Sequence, residues 1–303
     1  MTADIQFDPP PIFVDNNVRE SLSDRRDGQV YVFDPNAVLA VRVALATRRP
    51  LLLLGDSGTG KSALAQAVAR FKNWRYIEEV VTSRSEARDL LWTFDPVARL
   101  AAAQAGNKAA ETPGGYTRPG SLWWAFDTED ARKLCQAVRP PYQENGFCED
   151  DSRPAVVLID EIDKADPDYP NALLVPLGSR QFTVPPLDHH LVRDKGVQPP
   201  LVIITSNNER PLPPAFLRRC VTHSFAPATL PTLETIANAH FSGMEHRIKE
   251  IAEKTQAWAD SNRKLLPSIP EFLDLVKACE TLRDEQVAAL LNIIAGTAGA
   301  GTM

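Results

Sequence analysis

The segment Gly55-Asp56-Ser57-Gly58-Thr59-Gly60-Lys61-Ser62 joins spaced glycines to a terminal Lys-Ser pair. Glycines let successive backbone N–H groups turn inward around phosphate oxygens, and a helix beginning behind them adds partial positive charge. In such a loop Lys61 reaches the β- and γ-phosphates of a nucleotide, and the Ser62 hydroxyl ligates magnesium. A chance glycine-rich turn is the competing account. It is disfavoured because the pattern holds at every specified position and lies between a strand signal and a helix signal. A second segment, Ala155-Val156-Val157-Leu158-Ile159-Asp160-Glu161-Ile162-Asp163, closes an aliphatic run with adjacent acids. Asp160 suits the magnesium shell, and Glu161 suits a general base that deprotonates an attacking water. A third aliphatic run, residues 201–205, ends in Ser206-Asn207-Asn208. Asparagine there commonly builds a turn. Its place after a third buried strand favours Asn207 as a group aimed at the γ-phosphate and the water.

These groups meet only if the runs that carry them lie side by side with their ends level. Residues 51–54, 156–159 and 201–204 are short, aliphatic on both faces and bounded by turn residues, as buried parallel strands are. Residues 76–81 resemble another strand. Helical patterns intervene: Asp34 and Pro35 supply an N-cap and first position ahead of Val38, Val41 and Leu45, and Leu64 and Val68 follow the loop one turn apart. Ser83 and Glu86 have capping-box spacing, with Leu90 and Leu91 as the apolar helical residues that follow. Strands alternating with helices predict an α/β fold with a parallel sheet, whose ligands bind at the carboxyl ends of the strands.

The expected organisation is an N-terminal arm or linker over 1–30, outside the core and marked by Pro9-Pro10-Pro11, then an α/β core over 31–229. That core carries insertions at about 82–125 and 126–153, the latter with an acidic loop at Glu149-Asp150-Asp151. Strand signals stop near Leu230. Ile248, Ile251 and Trp258, then Phe272, Leu275 and Val276, predict a small all-helical domain over 230–295, before a flexible tail at 296–303.

The chain has 303 residues, 33 Lys+Arg against 39 Asp+Glu for a net charge of −6, and is 44% hydrophobic and 24% charged. That balance excludes wholesale disorder and a coiled-coil rod. No aliphatic run approaches the roughly 18 residues of a membrane span. The opening residues lack a charged-then-apolar signal pattern, which predicts a cytoplasmic protein. Cys135, Cys148, Cys220 and Cys279 are scattered, as structural thiols in a reducing compartment are. Cys220 and His223 resemble half a zinc site with no second pair nearby, and His189-His190 reads as a solvated loop. A pI of about 5.5 disfavours nucleic acid as a partner.

With these motifs in place the chain resembles the AAA+ ATPases of the MoxR group. The likeness rests on a Walker A loop at 55–62, a Walker B segment at 156–161 and Thr205-Ser206-Asn207 in the sensor-1 position. Pro213-Pro214-Ala215-Phe216-Leu217-Arg218-Arg219 resembles the segment bearing an arginine finger. Arg84-Ser85-Glu86-Ala87-Arg88-Asp89-Leu90-Leu91 and Tyr116-Thr117-Arg118-Pro119-Gly120-Ser121-Leu122 are similar to the group's insertion and subsequent loop. The likeness covers roughly residues 30–295.

The resemblance implies a P-loop NTPase core with strand order 5-1-4-3-2, a C-terminal helical lid, and ATP with Mg2+ bound between subunits of a homo-oligomeric ring, usually a hexamer. Arg219, or failing that Arg218, would act on the neighbour's ATP; a solvated basic pair is the competing account. Where the group often carries a sensor-2 arginine after Pro267-Ser268, this chain has Ile269, Pro270 and Glu271. Whether another lid residue makes that contact stays open. Trp123 and Trp124 suit core packing better than a pore grip, and the balanced charges between Thr82 and Arg99 suit contact with protein. The implied function is ATP-driven remodelling or activation of a partner protein, including partners with von Willebrand factor A domains. The alternative is an ATP-gated assembly module that hydrolyses slowly as a switch for an effector, as in bacterial conflict systems. A nucleic-acid translocase ranks third. Lys61→Ala is expected to weaken productive ATP binding greatly, since it removes the one side-chain cation of the loop. A nucleotide titration showing parental affinity and turnover would falsify the phosphate-loop assignment.

Overall fold

The computed structural model describes residues 6–15, 28–107, 112–135, 148, 150–195, 199–281 and 287–294. Strands β1 (Ile12–Val14) and β2 (Val30–Val32) pair antiparallel, Ile12 opposite Val32. Helix α1 (Pro35–Thr47) follows, with Asp34 Oδ2 accepting the Ala37 N–H at 3.2 Å and Pro35 at the first position. Strand β3 (Leu51–Leu54) leads through the phosphate loop into α2 (Lys61–Lys72), and β4 (Arg75–Val80) follows. Next come β5 (Trp92–Phe94), α3 (Pro96–Gln104), β6 (Thr117–Pro119), α4 (Ser121–Phe126) and α5 (Thr128–Leu134). The chain continues through β7 (Ala155–Asp160), α6 (Tyr169–Ala172), α7 (Leu174–Ser179), and the hairpin β8 (Gln181–Val184) and β9 (His190–Arg193). Last are β10 (Leu201–Ser206), α8 (Pro214–Leu217), β11 (Val221–Ser224), α9 (Leu230–His240), α10 (Glu245–Asn262), α11 (Ile269–Thr281) and α12 (Val287–Ile294).

The main sheet is five-stranded and parallel, in the order β11-β3-β10-β7-β4, which is 5-1-4-3-2 when its own strands are counted along the chain. The period of two along a strand sorts its side chains between the faces. Leu51, Leu53, Val156, Leu158, Leu201 and Ile203 enter a core with α1, α2 and the N-terminal arm. Leu52, Val157, Ile159, Val202 and Ile204 enter the other, with α4 and the β8–β9 hairpin. Both faces are therefore dry, which is why the strands read as unbroken aliphatic runs. Helices α9 to α12 close on a separate core around Ile248, Ile251, Trp258, Phe272 and Leu275. The chain is thus an α/β domain of parallel sheet flanked by helices, with C-terminal helices as a lid. Among the described residues no helix is long and apolar enough to cross a membrane.

The structure revises several sequence expectations. The described part of the N-terminal arm, expected to lie outside the core, reaches into it: Phe7 is 1% exposed and packs edge-to-face on Phe33 and Phe71 at 5.7 and 5.6 Å. Gly28 lets the arm lie against α2. It has φ +73°, and a Cβ there would stand 2.6 Å from the Ala67 nitrogen. The capping box is displaced by three residues: Glu86 and Asp89, rather than Ser83 and Glu86, cap a single 3-10 turn over Ala87–Leu90, and Trp92 already begins a strand. His190 stays exposed but is not in a loop: it opens β9, stacks on Trp123 and contacts Asp130 through Nε2 at 2.8 Å. His189 keeps a turn position, with φ +57°. Both Trp123 and Trp124 are buried. Glu149 and the tail at 296–303 lie outside the described residues.

Phe7→Ala empties a buried ring site between two other rings. It is expected to lower unfolding stability by about 3–5 kcal/mol, read from chemical denaturation. A change below about 1 kcal/mol would return the arm to the status of a linker.

Candidate active site

Strands β3, β7 and β10 are neighbours in register, so the segments after their carboxyl ends converge. The loop at 55–62 needs left-handed backbone at its glycines: φ is +141° at Gly55, +78° at Gly58 and +91° at Gly60, the N-cap of α2. At Gly55 a Cβ would lie 2.6 Å from the Phe225 carbonyl oxygen, so only glycine fits. Lys61 is buried, and its Nζ donates to the carbonyls of Gly55 and Asp56 at 2.7 Å each. Burial pulls its pKa below the usual lysine value, while Asp160, Asp56, Asp163 and Glu161 oppose that shift. Thr59 Oγ1 closes the loop on the Asp56 carbonyl at 2.8 Å.

Asp160 Oδ1 is the meeting point. It accepts from Ser62 Oγ at 2.8 Å and from Thr205 Oγ1 at 2.5 Å. Thr205 Oγ1 in turn accepts the backbone N–H of Glu161 at 2.9 Å. That bond holds Glu161 at φ +60°, a conformation costly for a residue with a Cβ. Both oxygens of the Glu161 carboxylate are engaged: Oε1 accepts from Asn207 Nδ2 at 3.2 Å, and Oε2 from Lys164 Nζ at 2.6 Å. Asp163, also buried, receives the N–H groups of Asn207 and Glu209 on Oδ2 at 3.0 and 2.9 Å, which fixes the loop after β10.

A cleft of about 720 Å³ opens over these groups, within the range of small-molecule sites. Ser57, Gly58, Thr59, Gly60, Lys61, Ser62, Asp160, Glu161 and Asn207 line it; Gly55 and Asp56 stand behind the lining as the backbone that holds Lys61. Arg218 and Arg219 do not belong to this cleft. They lie exposed at the opposite, amino end of β11, where Arg219 Nη1 donates to the Leu174 carbonyl at 3.1 Å.

Sequence reasoning missed the rest of the wall. Val30, Tyr31 and Val32 of β2 line the cleft, with Tyr31 Oη 3.4 Å from the Gly60 carbonyl. Burial, with the Asp34 charge, raises the Tyr31 pKa and keeps the phenol neutral. Glu78 also lines the cleft; burial raises its pKa despite a hydrogen bond from Tyr76 at 3.1 Å. The lid adds Thr232, Ile236, Ile269 and Leu273. Where the resemblance led one to look for a basic residue, the Ile269 N–H donates to the Gly58 carbonyl at 3.2 Å. Ser268 caps α11 with Glu271, its N–H and Oγ both 2.7 Å from Glu271 Oε2. No arginine lines the cleft among the described residues.

An N–H-lined loop, a buried ammonium and two adjacent hard oxygens suit a phosphate chain with a divalent cation, and a carboxylate beside them can accept a proton. Among the described residues no cluster of three or more His, Cys, Asp or Glu could hold a metal by protein ligands alone. Ser62 and Asp160 fit a magnesium ion that takes its remaining ligands from phosphate and water. The Cys220–His223 pair does not form a metal site. Burial pushes the Cys220 thiol up to about 12, and His223 faces Asp34 at 3.7 Å.

The family model described as AAA domain (dynein-related subfamily) matches residues 50–220, more than half of the 303-residue chain. That range runs from the residue before β3 to the residue before β11 and holds the phosphate loop, the acid pair and the arginine pair. No curated protein matches the chain.

Thr205→Val keeps the shape of the side chain but leaves the Glu161 N–H without its acceptor. Urea denaturation is expected to show a loss of about 1–3 kcal/mol. Parental stability would mean that the hydroxyl bridge contributes nothing to holding the acid pair.

Proposed function

Because the chain belongs to the AAA domain family, dynein-related subfamily, and is in general terms an AAA+ ATPase, we propose that it binds ATP in this cleft and hydrolyses it to act on a partner protein. The observation that carries the reading is the double bridge at Asp160. One carboxylate oxygen joins Ser62 of the phosphate loop to Thr205 of the sensor strand, beside Lys61. The N–H groups of residues 55–62 wrap the phosphates, and Lys61 exchanges its two loop carbonyls for β- and γ-phosphate oxygens. Ser62 and Asp160 hold magnesium, which when bound neutralises charge on the phosphate oxygens. Glu161 accepts the proton of the attacking water, and Asn207 positions that water. Tyr31 and its β2 neighbours, with the lid, enclose the remainder of the nucleotide.

Arg219, with Arg218 beside it, serves the neighbouring copy. Their distance from the chain's own cleft supports action across an interface in a homo-oligomeric ring, and the resemblance supports a hexamer. Within the AAA family we assign the chain to the MoxR group, on the insertion after β4 and the C-terminal helices. The partner is then a polypeptide, and von Willebrand factor A domains are the first candidates. Remodelling or activation of that polypeptide is the work done.

A second reading, an ATP-gated assembly module with slow turnover, is favoured by one observation: both oxygens of Glu161 are already engaged, one by an ammonium at 2.6 Å. Strong stimulation of turnover by a partner supports the remodelling machine; assembly on ATP with little turnover supports the switch. Glu161→Gln keeps the shape and one acceptor oxygen, gives up one of the two hydrogen bonds that the carboxylate accepts, and cannot take up the water's proton. It is expected to bind ATP with magnesium at parental affinity and to lose about 10²–10⁴-fold in kcat. Phosphate release at the parental rate would remove Glu161 from the role of base.

A further inference from the structure

Arg49 lies in the connection between α1 and β3, and its side chain reaches sideways to the turn after α8. Nε donates to the Arg219 carbonyl at 3.1 Å, while Nη2 donates to the carbonyls of Arg218 and Cys220 at 2.6 and 2.7 Å. Three consecutive carbonyls thus converge on one guanidinium. These carbonyls come after a helix end and lack partners along the helix. Helix α8 spans only Pro214–Leu217, too short to orient the turn behind it by its own hydrogen bonds. A planar, rigid fork of donors suits this task, and a lysine could not reproduce it.

The backbone that carries Arg49 is itself tied on both sides. Arg180 Nη2 donates to the Arg48 carbonyl at 2.7 Å, and Arg180 Nη1 pairs with Asp194 at 3.2 Å. On the other side the Val221 N–H donates to the Pro50 carbonyl at 2.8 Å. From Pro50, strand β3 runs directly into the phosphate loop. Among the described residues no carboxylate pairs with Arg49, Arg218 or Arg219. The Arg49 guanidinium is therefore spent on holding backbone, and the guanidinium of Arg218 remains open to the surface.

We propose that Arg49 is a positioning residue for the neighbouring copy's ATP site, holding the turn from which Arg218 and Arg219 project. This rests on the reading of those arginines as acting across the ring interface. The turn is anchored to the strand that feeds the chain's own phosphate loop, so one rigid connection joins the site a subunit owns to the site it completes. Arg49 lies on the surface, and two of its three acceptors, the Arg218 and Arg219 carbonyls, are exposed, so water can replace the lost donors there. Its loss therefore falls on turnover more than on folding.

In the full-length chain, Arg49→Ala is expected to keep its melting temperature and its KM for ATP. Its kcat should fall on the order of 100-fold, the scale of a 1 Å misplacement of a reacting group. Arg49→Lys should recover only part of that loss. Parental kcat in Arg49→Ala would overturn the proposal. Mixing experiments separate the two ends of the connection. Glu161→Gln mixed with Arg219→Ala tests the underlying reading: activity should return, because some interfaces pair an intact site with an intact arginine. Arg49→Ala mixed with Glu161→Gln should regain activity for the same reason, whereas Arg49→Ala mixed with Arg219→Ala should stay at background. Recovery in that last mixture would mean that Arg49 serves its own site, and the proposal would fall. If the first mixture stays inactive while differently tagged subunits co-purify, the reading of the arginines as trans-acting fails, and this proposal fails with it. Should Arg49→Ala not fold, Arg49→Gln enters the same assays, and its parental kcat or its recovery with Arg219→Ala overturns the proposal.

Discussion

One carboxylate oxygen organises the centre of this protein. Asp160 Oδ1 takes hydrogen bonds from Ser62 on one side and Thr205 on the other, and so ties together the ends of β3, β7 and β10. A half-buried charge needs such donors, because removing it from water without them is costly. The constraint spreads outward. Thr205 also receives the Glu161 N–H and holds that residue in left-handed backbone, from which its side chain meets Asn207 and Lys164. The phosphate loop, the acid pair and the end of β10 are one hydrogen-bonded unit, and each is placed by the other two.

The parallel sheet makes that unit possible. Parallel strands in register bring their carboxyl ends to one edge, and dry packing on both faces leaves no slack for them to shift. The remaining walls come from segments remote in sequence. The arm brings β2 and Tyr31 across α2, and the lid sets the start of α11 on the phosphate loop through Ile269 and Gly58. A Cβ at Gly58 would stand 2.7 Å from the Ser268 Cβ, so the glycine serves the lid contact as well as the loop's turn. Lid and loop therefore meet through backbone, the Ile269 N–H on the Gly58 carbonyl.

The two ends of the sheet divide the labour. The carboxyl end holds the chain's own cleft, and the amino end exposes Arg218 and Arg219. Under the proposal that these arginines act on a neighbouring copy, each chain would complete the site of another, as in a closed ring with one repeated interface. In the isolated chain Lys61 rests on loop carbonyls and Glu161 on Lys164 and Asn207. Both charges are thus partnered within the chain.

The phosphate loop, the acid pair, the buried strands and Asn207 were legible in the amino-acid sequence, because each is a local pattern. Glycine spacing, an aliphatic run or a polar residue at a strand end survives without knowledge of the fold. The order of the strands was legible only through family resemblance, since aliphatic runs buried on both faces carry no mark of their neighbours. Phe7 gave no signal among prolines and polar residues, yet it seats the arm in the core. The same holds for the Tyr31 wall, the seat of Asp163 under the loop after β10, the contact of His190 with Asp130 and the grip of Arg49 on three carbonyls. Each joins side chains or backbone far apart along the chain. Contacts of that kind have no period and no motif, so tertiary packing alone decides them.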